Sequence, residues 1–400
     1  MRTAIVVLSG VADRPAARLK ERTPLQVART PGLDALARGG RVGAVRTSPD
    51  GSHAGSDVAL LTLLGYDPRR FPLRRGPLEA AGAGIDVGPQ DLALRGNLVT
   101  LHDERIADLT AGRISTEEAA ALLHELAAEI HDDGVRLHPL HRYRFVMVIE
   151  GGRSLRLETA PPHAAFGKAV REVYPKGEDA ARFERILDRS RKVLAEHEIN
   201  RVRIDLGENP ANFVWLWGEG AEEELPSFAD RFGLRGSCVA GAALAKGIAR
   251  RAGFDVVDVP GASGDLDSDL AAKGREAVAR LESHDLVFVH VQGANEASHL
   301  RDPMRKVEVI QEADREVIRP LVAALEGAEG GWRLLVASDH VTATESDELA
   351  AGLAPFLIAG SEIDPIRGYP FDEEHAARSD LQIDEGASLM SFFLGRNPSA

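Results

Sequence analysis

Three short stretches of the chain carry residue types that can do chemistry. Gly55-Ser56-Asp57 sets a hydroxyl behind a glycine and ahead of an apolar run, 58–64, that reads as helix. A serine so placed is either a nucleophile on a tight turn or the N-cap of the helix. Asp339-His340 follows the apolar run 334–337. A carboxylate beside an imidazole at a strand end is half of a site for Zn or Mn, or else a turn aspartate next to a surface histidine. Asn295-Glu296-Ala297-Ser298-His299 follows the run 286–291 and is either a second ligand cluster or an ordinary loop. What makes the three a set is their common position at the boundary of an apolar element.

Those elements can be read from period and length. Ala4-Ile5-Val6-Val7-Leu8 is a short continuous apolar run, as are 286–291 and 334–337. Such runs suit strands buried on both faces of a parallel sheet, whose carboxyl ends collect ligands. Ala119, Leu122, Leu123, Leu126 and Ile130 form a helical stripe, with Ser115 and Glu118 spaced as a capping box. Val307, Ile310, Val317 and Leu321 form another, and 239–251 and 270–281 also read as helices. Glycine and proline gather at 75–77, 82–84 and 218–220, as at crossings between domains. The run 144–149 supplies a strand to the middle third. The expected layout is α/β: a sheet domain made of 1–77 and 231–400, with a second α/β domain, 78–230, inserted in it.

Composition narrows the classes. An apolar fraction of 44% with 28% charged residues supports a buried core. The chain has 48 basic and 62 acidic residues, a net charge of −14, which repels phosphate backbones and argues against nucleic acid as partner. No apolar stretch reaches membrane-spanning length, and 4–8 is too short for a leader. One cysteine, Cys238, fits a reducing compartment. A cytoplasmic protein with no membrane partner is expected.

The chain resembles the archaeal-type 2,3-bisphosphoglycerate-independent phosphoglycerate mutases of the alkaline phosphatase superfamily. The resemblance is carried by Gly55-Ser56-Asp57 paired with Leu64-Gly65-Tyr66-Asp67-Pro68, and by Arg75-Gly76-Pro77-Leu78-Glu79-Ala80. Ala111-Gly112-Arg113-Ile114, Asn209-Pro210-Ala211-Asn212, Lys246-Gly247-Ile248-Ala249 and Phe288-Val289-His290-Val291 extend it along the chain. It implies an alkaline-phosphatase-like parallel-sheet sandwich domain bearing metal, with a smaller inserted α/β substrate domain. It also implies phosphoryl transfer between the hydroxyls of a phosphoglycerate through a phosphoserine, assisted by two Mn or Mg ions. By position Ser56 corresponds to the nucleophile, Asp339 and His340 to ligands of the serine's ion, and His299 to a ligand of the other.

Three positions depart from that pattern. Ser9 and Asn295 stand where the family has metal-binding aspartates, and Leu349 where it has a histidine. Two dications about 4 Å apart repel by roughly 17 kcal/mol at an effective dielectric near 20, and two carboxylates that would offset this are missing. Asp13, Asp57, Glu345 and Asp347 are the acids that could replace them. The expectation from charge is therefore no metal or one weakly held Mn or Mg, no metal pair, and loss of most or all mutase activity. The chain would then act by binding a phosphorylated small molecule or a protein partner, or by chemistry without metal. The alternatives are an active mutase or related phosphotransferase with rearranged ligands, and a one-metal phosphohydrolase using Ser56. In the inserted domain, Leu109 stands where the family commonly has arginine and Thr110 where it has arginine or asparagine. Arg113, His163, Arg201, Arg203 and, outside it, Lys246 remain as anion contacts or as solvated cations.

Overall fold

The computed structural model describes residues 1–50, 55–130, 134–165, 168–346, 348–350, 352–366 and 368–396. Contacts divide the chain into two units, Met1–Pro72 with Leu225–Ala400, and Leu73–Glu224. The crossings fall at 72/73 and 224/225, against the anticipated 77/78 and 230/231. No helix among the described residues is long and apolar enough to cross a membrane.

The larger unit is built on an eight-stranded sheet. Its order is Gln382–Ile383, Gly40–Arg46, Leu353–Gly360, Trp332–Ala337, Arg2–Leu8, Leu286–Val291, Gly236–Ala240, Asp255–Val257. The continuous apolar runs fall at its centre because strands there are covered on both faces. Ile5, Val6, Val289 and Leu335 are fully buried. The three central strands are parallel, with Leu8 beside Val291 and Val7 beside Ala337. Their carboxyl ends therefore release Ser9, Gln292 and Ser338 side by side. Leu353–Gly360 runs antiparallel to both neighbours, so the parallel core carries a mixed flank.

The stretch anticipated as one helix over 239–251 splits in two. Val239 and Ala240 close the strand Gly236–Ala240, and the helix is Ala243–Arg251. Gly241 makes the corner, where a Cβ would run into the backbone of Ser263. In the stripe of Val307, Ile310, Val317 and Leu321, the first two lie on Pro303–Ala313, Val317 on a π turn at Asp314–Ile318, and Leu321 on Arg319–Glu326. Pro320 has no N–H for the Glu316 carbonyl four residues back, so the helix widens there.

The smaller unit is an antiparallel sheet, Arg105–Asp108, Leu92–His102, Arg144–Ile149, Val135–Pro139, with Phe213–Gly220 also paired to Leu92–His102. The helix Thr116–Ile130 buries Ala119, Leu122, Leu123, Leu126 and Ile130 in this unit's core. Its start is a capping box: Glu118 N donates to Ser115 Oγ, and Ser115 N donates to Glu118 Oε2, both at 3.1 Å.

Candidate active site

The ends of the central strands build one buried hydrogen-bond network. The Asp339 carboxylate accepts from Ser9 Oγ at 2.8 Å, Gly10 N at 2.8 Å and His340 N at 2.9 Å. His340 Nδ1 stands 3.0 Å from Asp339 Oδ1, near enough for charge attraction but poorly aligned for a hydrogen bond. Burial works against charge on Asp339, yet His340, His290 and the Gly10 amide draw its pKa down to about 2. Asn295 bridges the two histidines expected at the site. Its Oδ1 accepts from His340 Nε2 at 3.1 Å and from Thr342 Oγ1 at 3.2 Å. Its Nδ2 meets His299 Nε2 at 3.0 Å. Ser9, Asn295, His299, Asp339 and His340, picked from sequence at three separate places, thus form one cluster. Leu349 lies on the strand Glu348–Ala350 with its backbone opposite Thr342; its side chain is outside the described part.

The acids named as replacements are differently placed. Asp13 is committed to Lys306: Lys306 Nζ donates to Asp13 Oδ2 at 2.8 Å, to Thr342 O at 3.1 Å and to Ala12 O at 3.3 Å, with both side chains buried. Thr344 also bonds Asp13 through its amide and hydroxyl. Glu345 accepts from Ala17 N at 2.8 Å. Asp57 is buried beside Ser56, and Asp347 lies outside the described residues. Sequence reading missed Lys306, although a lysine four residues before Ile310 falls on that helix's apolar stripe and so asks for a buried partner.

Ser56 is not an N-cap. Gly55, extended at φ −163°, takes that role, and Ser56 is the first residue of the helix Ser56–Leu63. Ser56 thus sits at a helix start, a position where an anion is stabilised. Lys246 sits on Ala243–Arg251 and pairs with Asp258 at 2.5 Å.

In the smaller unit the anion candidates separate by burial. Arg201 on Glu198–Asp205 and His163 on Pro162–Ala165 are exposed, and Arg113 is half-buried. Arg203 is only 3% exposed and is a strut rather than a solvent-facing anion contact. Its Nη2 donates to Ala111 O at 3.0 Å and Gly112 O at 3.4 Å, its Nε to Asn209 O at 3.1 Å, and its Nη1 to Glu118 Oε2 at 3.1 Å. The alternation of the helix explains this: Arg201 and Arg203 lie about 200° apart around its axis, so one faces out and the other in.

A profile described as 2,3-bisphosphoglycerate-independent phosphoglycerate mutase matches residues 37–200. The mutase of that name from Methanothrix thermoacetophila is 39% identical over 98% of this chain and 100% of its own length. The "2,3-bisphosphoglycerate-independent phosphoglycerate mutase 2" of Methanothermobacter thermautotrophicus is likewise 39% identical, over 98% of this chain and 97% of its own. Among solved structures, the PH0037 protein from Pyrococcus horikoshii has a TM-score of 0.77 at 29% identity, covering 100% of this chain and 98% of that one. The cofactor-independent phosphoglycerate mutase from Thermoplasma acidophilum has a TM-score of 0.59 at 29% identity, covering 98% and 99%. The chain belongs to the 2,3-bisphosphoglycerate-independent phosphoglycerate mutase family.

This corrects the expectation drawn from charge. Relatives bearing the mutase name match the chain from end to end, and nothing in the match marks it as one that has given up the metal pair or the reaction. Counting carboxylates treated every lost charge as uncompensated. Dications are also held by neutral nitrogen and oxygen donors, and the cluster keeps His299, His340, the Asn295 amide and the Ser9 hydroxyl beside Asp339. One of these, the buried His340 Nδ1, faces the Asp339 carboxylate at 3.0 Å. The donor chemistry thus fits Mn or Mg. As packed here the donors face one another, and no three His, Cys, Asp or Glu side chains among the described residues converge on one point.

Proposed function

We propose that this chain interconverts 3- and 2-phosphoglycerate through a phosphoserine at Ser56. Ser56 Oγ attacks phosphorus, the bond to the substrate hydroxyl breaks, and that hydroxyl takes a proton. The glycerate turns, its other hydroxyl attacks the phosphoserine, and Ser56 is regenerated, so phosphoryl and protons balance over the cycle. The observation that carries the reading is Ser56 at the first position of its helix in a chain related over its full length to named mutases. The helix-start amides stabilise the phosphoryl oxygens throughout. Asp339 and His340 with Ser56, and His299 with Asn295, are the residues that would hold divalent ions. Bound there, the ions would neutralise phosphoryl charge and lower the serine pKa. Arg113, His163, Arg201 and Lys246 are the residues we propose as anion contacts.

The test uses the purified chain, dialysed and supplied with Mn, with 3-phosphoglycerate turnover followed by phosphorus NMR. Formation of 2-phosphoglycerate that Ser56→Ala reduces by about 10⁴-fold or more supports the reading. No turnover above that variant overturns it. Release of inorganic phosphate instead would make the chain a Ser56 phosphohydrolase.

A further inference from the structure

His290 is a buried polar residue to which the cluster above gives no role. It lies on the central strand Leu286–Val291 and is 2% exposed. Neither ring nitrogen has a hydrogen-bond partner among the described residues. Buried polar atoms are nearly always paired, because an unpaired one loses its bonds to water and gains nothing in return. Strand register places the ring. His290 pairs with Val7, and Val7 pairs on its other side with Ala337. Ser9 comes two residues after Val7, and Asp339 two after Ala337. Side chains two apart on a strand share a face, so His290 lies on the sheet face that carries Ser9 and Asp339. The register persists to the strand ends, where Ser9 N donates to Val291 O at 2.8 Å and Ser9 Oγ to Asp339 Oδ2 at 2.8 Å. The charged groups within electrostatic reach of the ring are Asp339, Lys273 and His340. Lys273 is turned to carbonyls, with Nζ 3.2 Å from Ser263 O and 3.4 Å from His290 O.

We propose that His290 is a nitrogen ligand of the divalent ion at Asp339, supplying a donor that Ser9 does not supply as an aspartate would. The inference rests on the reading that the cluster of Ser9, Asp339 and His340 holds such an ion. Ser9 spends its hydroxyl proton on Asp339 and has one oxygen where a carboxylate has two. A neutral imidazole suits the place, since it offers a lone pair to a cation and brings no charge into the interior. A nitrogen where the family has a carboxylate also biases the site from Mg toward transition-metal ions.

The experiment titrates Mn onto the dialysed full chain by calorimetry, comparing the wild type with His290→Leu and His290→Cys, each checked for folding by urea unfolding. His290→Leu should weaken one of two Mn sites by about 100-fold and leave the other as it was. With Co(II) in place of Mn, His290→Cys should add a thiolate-to-cobalt charge-transfer band in the near ultraviolet that the wild type lacks, a signature that a merely structural role does not produce. If His290→Leu does not fold, the cobalt spectrum of His290→Cys decides. Unchanged Mn affinity in folded His290→Leu, or no new band, overturns the assignment, as does a wild type that binds no Mn. Mn binding that depends on His290 without turnover strikes the mutase reading alone. Turnover that depends on Ser56, with Mn binding indifferent to His290, strikes this assignment alone.

Discussion

Each unit uses a buried cation to hold backbone, and the difference between the two is instructive. In the larger unit Lys306 gathers Ala12 O, Thr342 O and the Asp13 carboxylate around one ammonium. In the smaller unit Arg203 spreads over Ala111 O, Gly112 O, Asn209 O and Glu118. The lysine ties the segment after the strand Arg2–Leu8 to the short strand Val341–Ala343, joined also by the Ala12–Val341 bridge. A point charge with three donors suffices for that. The arginine restrains a turn that would otherwise relax, and a planar fork resists rotation as a point charge does not. The larger unit therefore fixes where side chains meet, and the smaller one fixes a strained path of the chain.

The comparison can be broken at either cation. The largest effect is expected from Lys306→Met, which strands the Asp13 carboxylate in the interior and should cost about 3–5 kcal/mol in urea unfolding. Adding Asp13→Asn should restore most of it, since both charges are then gone. Burial lowers the Lys306 pKa, and Asp13 opposes that shift.

A second effect should be confined to the larger unit and read by pH. His290 is fully buried with neither ring nitrogen hydrogen-bonded, and burial first, then Lys273 and His340, bring its pKa from 6.5 to about 4 against the pull of Asp339. Between those values the unfolded chain binds a proton that the folded one refuses. The His290 contribution is thus complete above pH 6.5 and is lost as pH falls toward 4, by up to about 3 kcal/mol. His290→Leu should flatten that stretch of the stability–pH curve, and an unchanged slope would contradict the assignment.

Arg203→Lys should come next, at about 1–2 kcal/mol of stability for carbonyl bonds lost on one side of the turn. The smallest effect is expected from Ala111→Gly, which relieves a left-handed non-glycine residue but removes a fully buried methyl; the two terms oppose, so thermal melting should move by less than about 1 kcal/mol. A larger loss would show that packing of the methyl outweighs the strain.

Much of this architecture was legible from residue order. Continuous apolar runs marked the central strands, because strands sealed on both faces need no polar alternation. The stripe ending at Ile130 and its Ser115–Glu118 cap were readable because a helix repeats within one segment. The boundary at Ala240 was not, since Val239 and Ala240 suit either a buried strand or a buried helix and only the pairing of Val239 with its neighbour in 286–291 decides. Arg201 and Arg203 looked alike as candidate anion contacts; what separates them is the turn of a helix against a loop about ninety residues away in sequence.

By itself the sequence determined the fold class, the family, the helix start that carries Ser56 and the strand ends that carry Asp339 and Asn295, because each depends on local pattern or on matched motifs. The tertiary structure alone decided that Asn295 spans His340 and His299, that Asp13 is taken by Lys306, and that Arg203 supports the turn before Arg113. Those outcomes depend on which charges share a low-dielectric interior and which carbonyls lie within reach. That is a property of distance in space, which order along the chain does not encode.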